Sequence, residues 1–322
     1  MTRRALALAL IATILRAVLH IVLGKGGVGK STVAAAIALS AAKRGAQVLA
    51  IELSPPAGLA RLLGVSPIAP GQAVEAHPGV WLSFFDGEAA LAEYLLQTFG
   101  LRRLLNRVFA HPVYRAFASA APGLKELMAI GKVRDEVRKR RLGGPLWDTV
   151  VVDAGASGHA LQYLRMPQAA AGAFGGGLVR GQSVAIDTML RDPDRTALHV
   201  VALPEEMPLA EAEEVIEVLR HELNMPVARL VINRCREIAP PGTRDLIAGL
   251  NNLGAADLDH KQVRQALHDA AVDALVWLDI QERGIAETER HVKMQATRLP
   301  LLQPEPFGLE QLGQLAMALE GN

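Results

Sequence analysis

The chain reads GKGGVGKS over residues 24–31, directly after the apolar run of residues 18–23. Glycines in such a loop let the main chain curl around phosphate groups without clashes from Cβ atoms. A strand must lead into the loop and a helix must follow it, because amide groups at a helix N-terminus hold anionic phosphates. Residues 32–43 are rich in Ala, Ile and Leu, and Gly45 is placed to end that helix. The stretch therefore predicts a binding site for a nucleoside triphosphate.

Three side chains of the loop carry the expected chemistry. Lys30 is expected to neutralise charge on the β- and γ-phosphates, and the Ser31 hydroxyl to ligate Mg²⁺. Lys25 is a second lysine, which ordinary loops of this class lack. The predicted phosphate-binding residues are Gly24, Lys25, Gly26, Gly27, Val28, Gly29, Lys30, Ser31 and Thr32.

The composition limits the kind of molecule. A chain of 322 residues, half of them hydrophobic, can bury a large core as one α/β domain or as a domain with an inserted lobe. Its 34 basic and 33 acidic residues nearly cancel, so that the charge predicts no nucleic-acid partner. The single cysteine, Cys235, excludes a disulfide framework and any zinc or arsenite site built from several thiols of one chain.

Residues 1–15 (MTRRALALALIATIL) have the basic start and short apolar stretch of a secretory signal. Arg16 and His20 interrupt this pattern, and the strand before the loop begins too soon to leave room for a cleavage region. The stretch is also too short to span a bilayer as a helix. We therefore interpret residues 1–17 as an N-terminal extension without function, such as one from an early start codon, on a cytoplasmic protein. An amphipathic or weakly membrane-seeking tail is the alternative.

Apolar runs with the character of β-strands recur along the chain and alternate with segments of helical period, such as residues 209–223. Such alternation predicts an α/β domain of the P-loop NTPase class, with a mostly parallel sheet flanked by helices. Ligands bind such sheets at the carboxyl ends of the strands, where the phosphate-binding loop lies. The predicted strands after the loop are residues 47–52, 80–85, 149–153, 196–203, 227–232 and 297–301.

One segment, about residues 88–141, interrupts the alternation, because it contains helical segments and no convincing strand. We interpret it as a helical subdomain inserted into the sheet domain. Apolar side chains at helical spacing within residues 95–117 indicate a packed core, and the alternative is an exposed groove for a partner helix. The basic run KVRDEVRKRR at residues 132–141 indicates a solvated helix end, with an anionic partner as the alternative.

A second motif begins at Asp153, which ends the apolar strand of residues 149–153. In P-loop proteins a carboxylate at this place contacts Mg²⁺ directly or through water. The sequence continues DAGASGHAL over residues 153–161. Together with GKGGVGKS, this resembles the ArsA-type family, which includes the arsenical pump ATPase and the ATPase that targets tail-anchored membrane proteins. The second switch of that family looks like D-T-A-P-T-G-H-T-L, which is matched by Asp153, Gly158, His159 and Leu161.

The resemblance extends from about residue 18 to residue 320 and implies one ATPase domain over residues 18–322, with ATP and Mg²⁺ as cofactors. It implies a dimer with an identical or a paralogous second subunit, in which Lys25 reaches across to the other subunit's phosphates. Gly158 and His159 would belong to a switch that reports the phosphate state to the helical subdomain. That subdomain would hold a protein client or a membrane-protein partner. The implied adenine site consists of Asn233, Arg234, Pro300 and Leu301.

The first switch of this family normally contains D-P-A, whose aspartate positions the attacking water. This chain reads ELSPPA over residues 52–57, so that Ser54 stands at the expected aspartate. A serine hydroxyl can orient water but is a poor base at neutral pH. Glu52 lies on the same side of an extended strand and is an alternative base, although we expect it deeper in the sheet. The implied catalytic residues are Lys25, Lys30, Ser54 and Asp153, and slow or lost hydrolysis stays open.

Three functional hypotheses follow. The first is a dimeric Mg²⁺-ATPase that couples its nucleotide state to a partner. The second is a nucleotide-binding regulatory subunit without useful hydrolysis, because of Ser54. The third, a MinD- or ParA-like positioning ATPase, is disfavoured because residues 308–322 contain no Lys or Arg to attract an anionic membrane. Without a Cys-x-x-Cys pair or three cysteines, the chain can form neither the zinc-bridged dimer nor the arsenite site of the two named enzymes.

Overall fold

A computed structural model gives the structure of the chain and describes residues 18–53, 58–66, 68–85, 90, 123–155, 157–237, 240, 242–250, 258–302 and 307–321. The N-terminal extension predicted at residues 1–17 lies outside the described residues. Ser54 also lies outside them, as does most of the predicted helical subdomain, up to residue 122. The fold is therefore built here from the central sheet and the helices that cover it.

The described strands form one large sheet and one small hairpin. They are β1 (Leu19–Gly24), β2 (Val48–Glu52), β3 (Ala73–His77), β4 (Val80–Phe84), β5 (Arg140–Arg141), β6 (Gly144–Pro145), β7 (Thr149–Asp153), β8 (Thr196–Ala202), β9 (Val227–Cys235) and β10 (Ala296–Pro300). Eight of them form the sheet, in the order β10-β9-β8-β1-β7-β2-β4-β3. All neighbours in it are parallel except β3 and β4. The mostly parallel sheet predicted from the sequence is confirmed.

Two parts of this strand pattern are absent from the prediction. Strand β3 reads AVEAH, is half-exposed at the edge of the sheet and therefore carries no continuous apolar run. The hairpin of β5 and β6 has strands of two residues each, too short for any period to be recognised, and β5 falls inside the segment expected to be helical. Strand β9 also continues to Cys235, beyond its predicted end at residue 232.

Helices cover both faces of the sheet. They are α1 (Lys30–Lys43), α2 (Gly58–Leu62), α3 (Leu124–Arg138), α4 (Ser157–Ala173), α5 (Gly177–Arg191), α6 (Glu206–Glu217), α7 (Thr243–Leu250), α8 (Leu258–Val292) and α9 (Leu309–Gly321). A π-helical turn, Val218–Glu222, prolongs α6. Buried side chains of α1, α2 and α9 pack on one face, and those of α3, α4, α5, α6 and α8 pack on the other.

The period of the strands explains these two layers. Val150 and Val152 of β7 belong to one core cluster, whereas Val151 between them belongs to the other. Successive side chains of a strand point to opposite faces, so a continuous apolar run is needed where helices cover both. Helix α9 uses its apolar side in this packing, since Leu312 and Leu315 are almost wholly buried. Within the described ranges, no helix combines the length and apolar composition needed to cross a membrane.

Two histidines meet inside the sheet. The Nδ1 atom of His20 on β1 lies 3.0 Å from the Nε2 atom of His199 on β8, and the rings are stacked. His199 is 1% exposed, and its Nδ1 atom has no hydrogen-bond partner among the described residues. Burial lowers the pKa of His199 well below its ordinary value, and the neighbouring charges of His20 and Arg229 lower it further. His199 is therefore neutral in the folded protein.

This depressed pKa makes the stability dependent on pH. The unfolded chain protonates His199 near pH 6.5 and the folded chain does not, so stability is full above that value and falls as the pH decreases. Between pH 7.5 and 5.0 the loss from this one group is expected to reach at most about 2 kcal/mol. Chemical denaturation of the wild type and of His199→Leu at both pH values measures it, and the variant should lose less stability. His221→Gln, at an exposed histidine, is the control, and equal losses in all three proteins would contradict the prediction.

Candidate functional site

The phosphate-binding loop connects β1 to α1 and is pressed against two neighbouring strands. Gly24 has a φ of +151° and Gly29 a φ of +94°, a range that side chains rarely adopt. A Cβ atom at Gly24 would clash with the carbonyl oxygen of Val201 on β8. A Cβ atom at Gly29 would clash with the side-chain amide of Asn233 on β9. These glycines therefore serve the close packing of the loop as well as its curvature.

Lys30, at the start of α1, folds back over the loop. Its Nζ atom donates a hydrogen bond to the carbonyl oxygen of Lys25 at 2.7 Å, and the residue is 8% exposed. Burial lowers the pKa of Lys30, while the charge of Asp153 raises it. The ammonium group thus lies in the curve of the loop, where it can meet a negatively charged ligand.

Ser31 and Asp153 meet at the carboxyl ends of β1 and β7. The Ser31 hydroxyl donates a hydrogen bond to Oδ2 of Asp153, and the Gly155 amide lies 3.4 Å from Oδ1. Burial raises the pKa of Asp153, whereas the hydrogen bond from Ser31 and the charge of Lys30 lower it. A hydroxyl and a carboxylate are hard oxygen donors of the kind that Mg²⁺ binds while it keeps several waters. The two side chains therefore fit the predicted metal site.

Glu52 lies beside this pair. The register of β2 and β7 sets Glu52 opposite Asp153 at the ends of both strands, although we expected Glu52 to lie deeper in the sheet. Its Oε1 atom accepts a hydrogen bond from the Gly58 amide at 2.6 Å, and a Cβ atom at Gly58 would lie 2.7 Å from the Ser31 hydroxyl. Burial raises the pKa of Glu52, the backbone amide of Gly58 lowers it, and the charge of Asp153 raises it. Glu52 therefore lies next to Asp153 and not deeper in the sheet.

Asn233 reaches the loop from β9. Its Nδ2 atom donates a hydrogen bond to the carbonyl oxygen of Val28 at 2.8 Å, and the residue is 4% exposed. Arg234, next in the strand, has the left-handed φ of 59° and is exposed. The amide of Leu301 donates to the carbonyl oxygen of Cys235 at 2.7 Å, which ties the end of β10 to the end of β9.

The four predicted adenine-site residues line one cavity. It has a volume of about 560 Å³ and adjoins the loop at Thr32. This volume is within the range of small-molecule and cofactor sites. Its wall also includes residues that belong to no sequence motif. The full lining is Thr32, Arg61, Leu62, Asn233, Arg234, Pro300, Leu301, Leu302, Phe307 and Leu315.

Lys25 points to its own chain in this structure. Its ammonium group forms an ion pair with Glu211 of α6, and the Lys25 side chain is 43% exposed. Residues 209–223 have helical period, but no local pattern distinguishes Glu211 from the other glutamates of that segment. The pairing arises because α6 follows β8, the strand next to β1, and so begins beside the loop.

The predicted switch residues start a helix at the site. Gly158 and His159 lie in the first turn of α4, a few residues after Asp153; the side chain of His159 lies outside the described part of the chain. Farther along α4, the Tyr163 hydroxyl donates to the carbonyl oxygen of Leu53 at 3.2 Å. Helix α4 also packs against α3. It therefore connects the end of β2, just before Ser54, with the only long described helix of the segment at residues 88–141.

Comparisons with known proteins agree with this geometry. The sequence profile of the family described as anion-transporting ATPases matches residues 17–175 and 179–245. ATPase BagA of Mycobacterium tuberculosis is 35% identical over 67% of this chain and 64% of its own length. ATPase GET3B of Arabidopsis thaliana is 24% identical over 69% of this chain and 64% of its own length. ATPase GET3 of Malassezia globosa is 22% identical over 91% of this chain and 88% of its own length.

The chain thus spans just under two thirds of the length of the first of these relatives. The family profile, in contrast, covers well over half of the chain and includes the loop, Asp153 and Asn233. The resemblance inferred from GKGGVGKS and the motif at residues 153–161 is confirmed. This chain belongs to the family of anion-transporting, ArsA-type ATPases.

Proposed function

We propose that this chain binds Mg²⁺-ATP and hydrolyses it as one subunit of a cytoplasmic two-subunit ATPase, which couples its nucleotide state to a protein client or membrane-protein partner held by residues 88–141. The second subunit is a second copy or a paralogue. One observation carries the proposal: Lys30, Ser31 and Asp153 converge beneath a glycine loop at the start of α1. Membership of an ATPase family supports the reaction.

Each group has a chemical task in ATP binding. The loop amides and the N-terminus of α1 hold phosphate oxygens, and Lys30 neutralises charge on the β- and γ-phosphates. Ser31 and Asp153 would hold Mg²⁺, which supplies shielding of the phosphate charge. The cavity beside Thr32 is large enough for adenine and ribose. Because the Asn233 amide donates to Val28, its oxygen is the atom that can accept a hydrogen bond from the adenine amino group.

Lys25 is the residue that would contact the phosphates of the second subunit. In the structure its partner is Glu211, and both side chains are partly exposed. Such an ion pair contributes only about 0–1 kcal/mol, so that it can break when phosphates of another subunit come within reach. The family resemblance supports this role across a dimer interface, and the contact with Glu211 would then belong to the separated subunit.

A second candidate function is a nucleotide-binding regulatory subunit that does not hydrolyse ATP. Two features favour it. Ser54 replaces the aspartate that positions water in the family, and Glu52, the nearest carboxylate on the same strand, already accepts a hydrogen bond from the Gly58 amide. A positioning ATPase is less well supported, because the apolar side of the C-terminal helix α9 packs in the core.

Substitution of Ser54 distinguishes the two candidates. In steady-state assays with Mg²⁺-ATP, Ser54→Asp is expected to raise the hydrolysis rate about 100-fold, because a positioned general base contributes roughly 10²–10⁴-fold. Ser54→Ala should lower any residual rate of the wild type. Ser66→Asp is a matched control, since Ser66 is exposed and also precedes a proline.

The outcomes separate clearly. Measurable wild-type hydrolysis that falls in Ser54→Ala supports the enzyme. Tight ATP binding without wild-type hydrolysis, together with a rate restored by Ser54→Asp, supports the regulatory subunit. Failure of the wild type to bind Mg²⁺-ATP would overturn both candidates.

A further inference from the structure

Helix α8 is much longer than the sheet that it covers. Near its end, Ile285 is wholly buried in the core, and the Val292 carbonyl accepts a hydrogen bond from Arg220, which precedes β9. Gln281 bonds to the main chain of Arg236, just after β9. The helix therefore runs antiparallel to β9. Residues 258–280 extend past the carboxyl edge of the sheet, over about 35 Å at 1.5 Å per residue.

One face of this projecting part is apolar and exposed. It consists of Val263, Leu267, Ala270, Ala274 and Trp277, and we call it the arm face. Val263 is 59% exposed, Leu267 60% and Trp277 55%. The five positions follow each other at intervals of four and three residues, the spacing of a helix seam that packs against another helix. The next position in the series is Gln281, where α8 meets its own core.

The other sides of the arm differ. Helix α7 packs along one side, where Arg244 forms an ion pair with Asp279. The side opposite the arm face, on which Asp279 also lies, carries Val272 and Val276, which are exposed as well. Asp269 and Asp273 lie between that side and the arm face. The arm face is the uncharged surface of the arm, which is typical of the centre of an interface rather than of its rim.

We propose that the arm face packs against the arm face of a second copy of this chain. The proposal rests on the two-subunit ATPase proposed above and names the surface that joins its subunits. The arm projects from the carboxyl edge of the sheet, which also carries the phosphate-binding loop. A second subunit must approach this edge if Lys25 is to reach its phosphates. The arms of two subunits that face each other there extend toward one another.

The shape of the arm face suits a contact between identical surfaces. Two small residues, Ala270 and Ala274, lie between the bulky Leu267 and Trp277, so that two helices can approach closely at the centre while the large side chains fill the flanks. A two-fold pair places the same patch on both subunits. Together the two faces would bury on the order of 1,000 Å², the lower limit for a specific interface.

Light scattering of the nucleotide-free protein tests the proposal. The wild type is expected to be a dimer at micromolar concentration, whereas Leu267→Glu and Trp277→Glu should weaken self-association at least about 100-fold, because each places two charges in the apolar centre of the interface. Val276→Glu is the matched control, since Val276 is 50% exposed and lies in the same turn as Trp277 but outside the arm face. It should remain a dimer.

Cross-linking gives a second measurement that needs no disruptive substitution. Cys235 is buried, so an introduced cysteine supplies the reactive thiol. Ala274→Cys, on the arm face, should be linked between subunits by a short bismaleimide, whereas Val272→Cys, on the opposite side, should not. Equal linking of both variants would overturn the proposal.

The remaining outcomes assign the arm face to other occupants or separate the two proposals. A wild type that stays monomeric with and without ATP overturns the dimer contact. This holds even if Trp277 proves to contact a vesicle, a client helix or residues 91–122 of the same chain. A Trp277→Glu variant that remains as dimeric as the wild type overturns it as well. ATP binding, measured in parallel by titration, should be unchanged in all variants. A dimer that binds no ATP would refute the proposed function but leave the arm contact standing.

Discussion

Lys30→Ala is expected to lower the affinity for Mg²⁺-ATP at least about 100-fold, which corresponds to about 2.7 kcal/mol. Hydrogen bonds to charged groups contribute about 1.5–3 kcal/mol each, and the Lys30 ammonium lies in the curve of a loop that can hold two phosphates. The ligand-free protein should lose little stability, because burial already disfavours the charged form of Lys30 and lowers its pKa. Isothermal titration with a nonhydrolysable ATP analogue measures the affinity, and thermal unfolding measures the stability.

Lys43→Ala is the matched control for this experiment. Lys43 ends the same helix α1, far from the loop, and is exposed. It should bind the ATP analogue as tightly as the wild type. If Lys30→Ala also retains wild-type affinity, the loop does not hold a nucleotide in the manner proposed. A loss of affinity that accompanies unfolding of the variant would instead identify Lys30 as a structural residue.

Lys25→Ala is expected to leave ATP affinity within about threefold of the wild type and to lower kcat about 10³-fold. The expected size comes from arginine fingers, where a cation supplied by a second subunit contributes roughly 10³–10⁵ to phosphoryl transfer. Affinity should change little because Lys25 points to Glu211 of its own chain in this structure. Steady-state hydrolysis gives kcat, and titration with the ATP analogue gives the affinity. If the wild type hydrolyses ATP and Lys25→Ala turns over equally fast, the role across the dimer is wrong.

Glu211→Ala separates this role from a structural one. If the only task of Lys25 were its ion pair with Glu211, the two substitutions would have the same effect on kcat. If Lys25 must instead leave Glu211 in order to act, Glu211→Ala should keep or raise the rate of hydrolysis. Mixing Lys25→Ala with Lys30→Ala subunits tests whether Lys25 acts on the nucleotide of the other subunit. In an equal mixture half of the dimers are hybrids. In each hybrid, one of the two ATP sites keeps Lys30 and receives an intact Lys25 from the other subunit. The mixture should therefore recover roughly a quarter of the wild-type rate.

The two carboxylates at the site, Asp153 and Glu52, show what a local sequence pattern can and cannot predict. Asp153 was predicted correctly as a strand end, because an apolar run that stops at an aspartate is a local pattern. Glu52 ends its strand in the same way, yet its position was expected deeper in the sheet. Which strand ends lie side by side depends on register, and the pairing of β2 with β7 sets Glu52 opposite Asp153. Register is set by packing of the whole sheet, which no local pattern records.

The residues that line the cavity beside the loop could likewise not be placed together from local sequence patterns. Asn233 and Leu301 were expected near the nucleotide through the family resemblance, since nothing in their own sequence contexts indicates a shared site. They meet because β9 and β10 are parallel neighbours at one edge of the sheet. Phe307 and Arg61 join the same wall and carry no sequence signal at all.

By itself, the sequence determined the phosphate-binding loop, the alternation of strands and helices, and the family. These depend on short-range requirements: glycines where side chains cannot fit, a helix after the loop, and apolar residues in strands covered on both faces. Only the tertiary structure decided that Glu52 adjoins Asp153, that Lys25 pairs with Glu211, and that the arm of α8 extends past the nucleotide edge. Those contacts join residues far apart in the chain. Their geometry follows from strand order, register and helix length, which are properties of the assembled sheet.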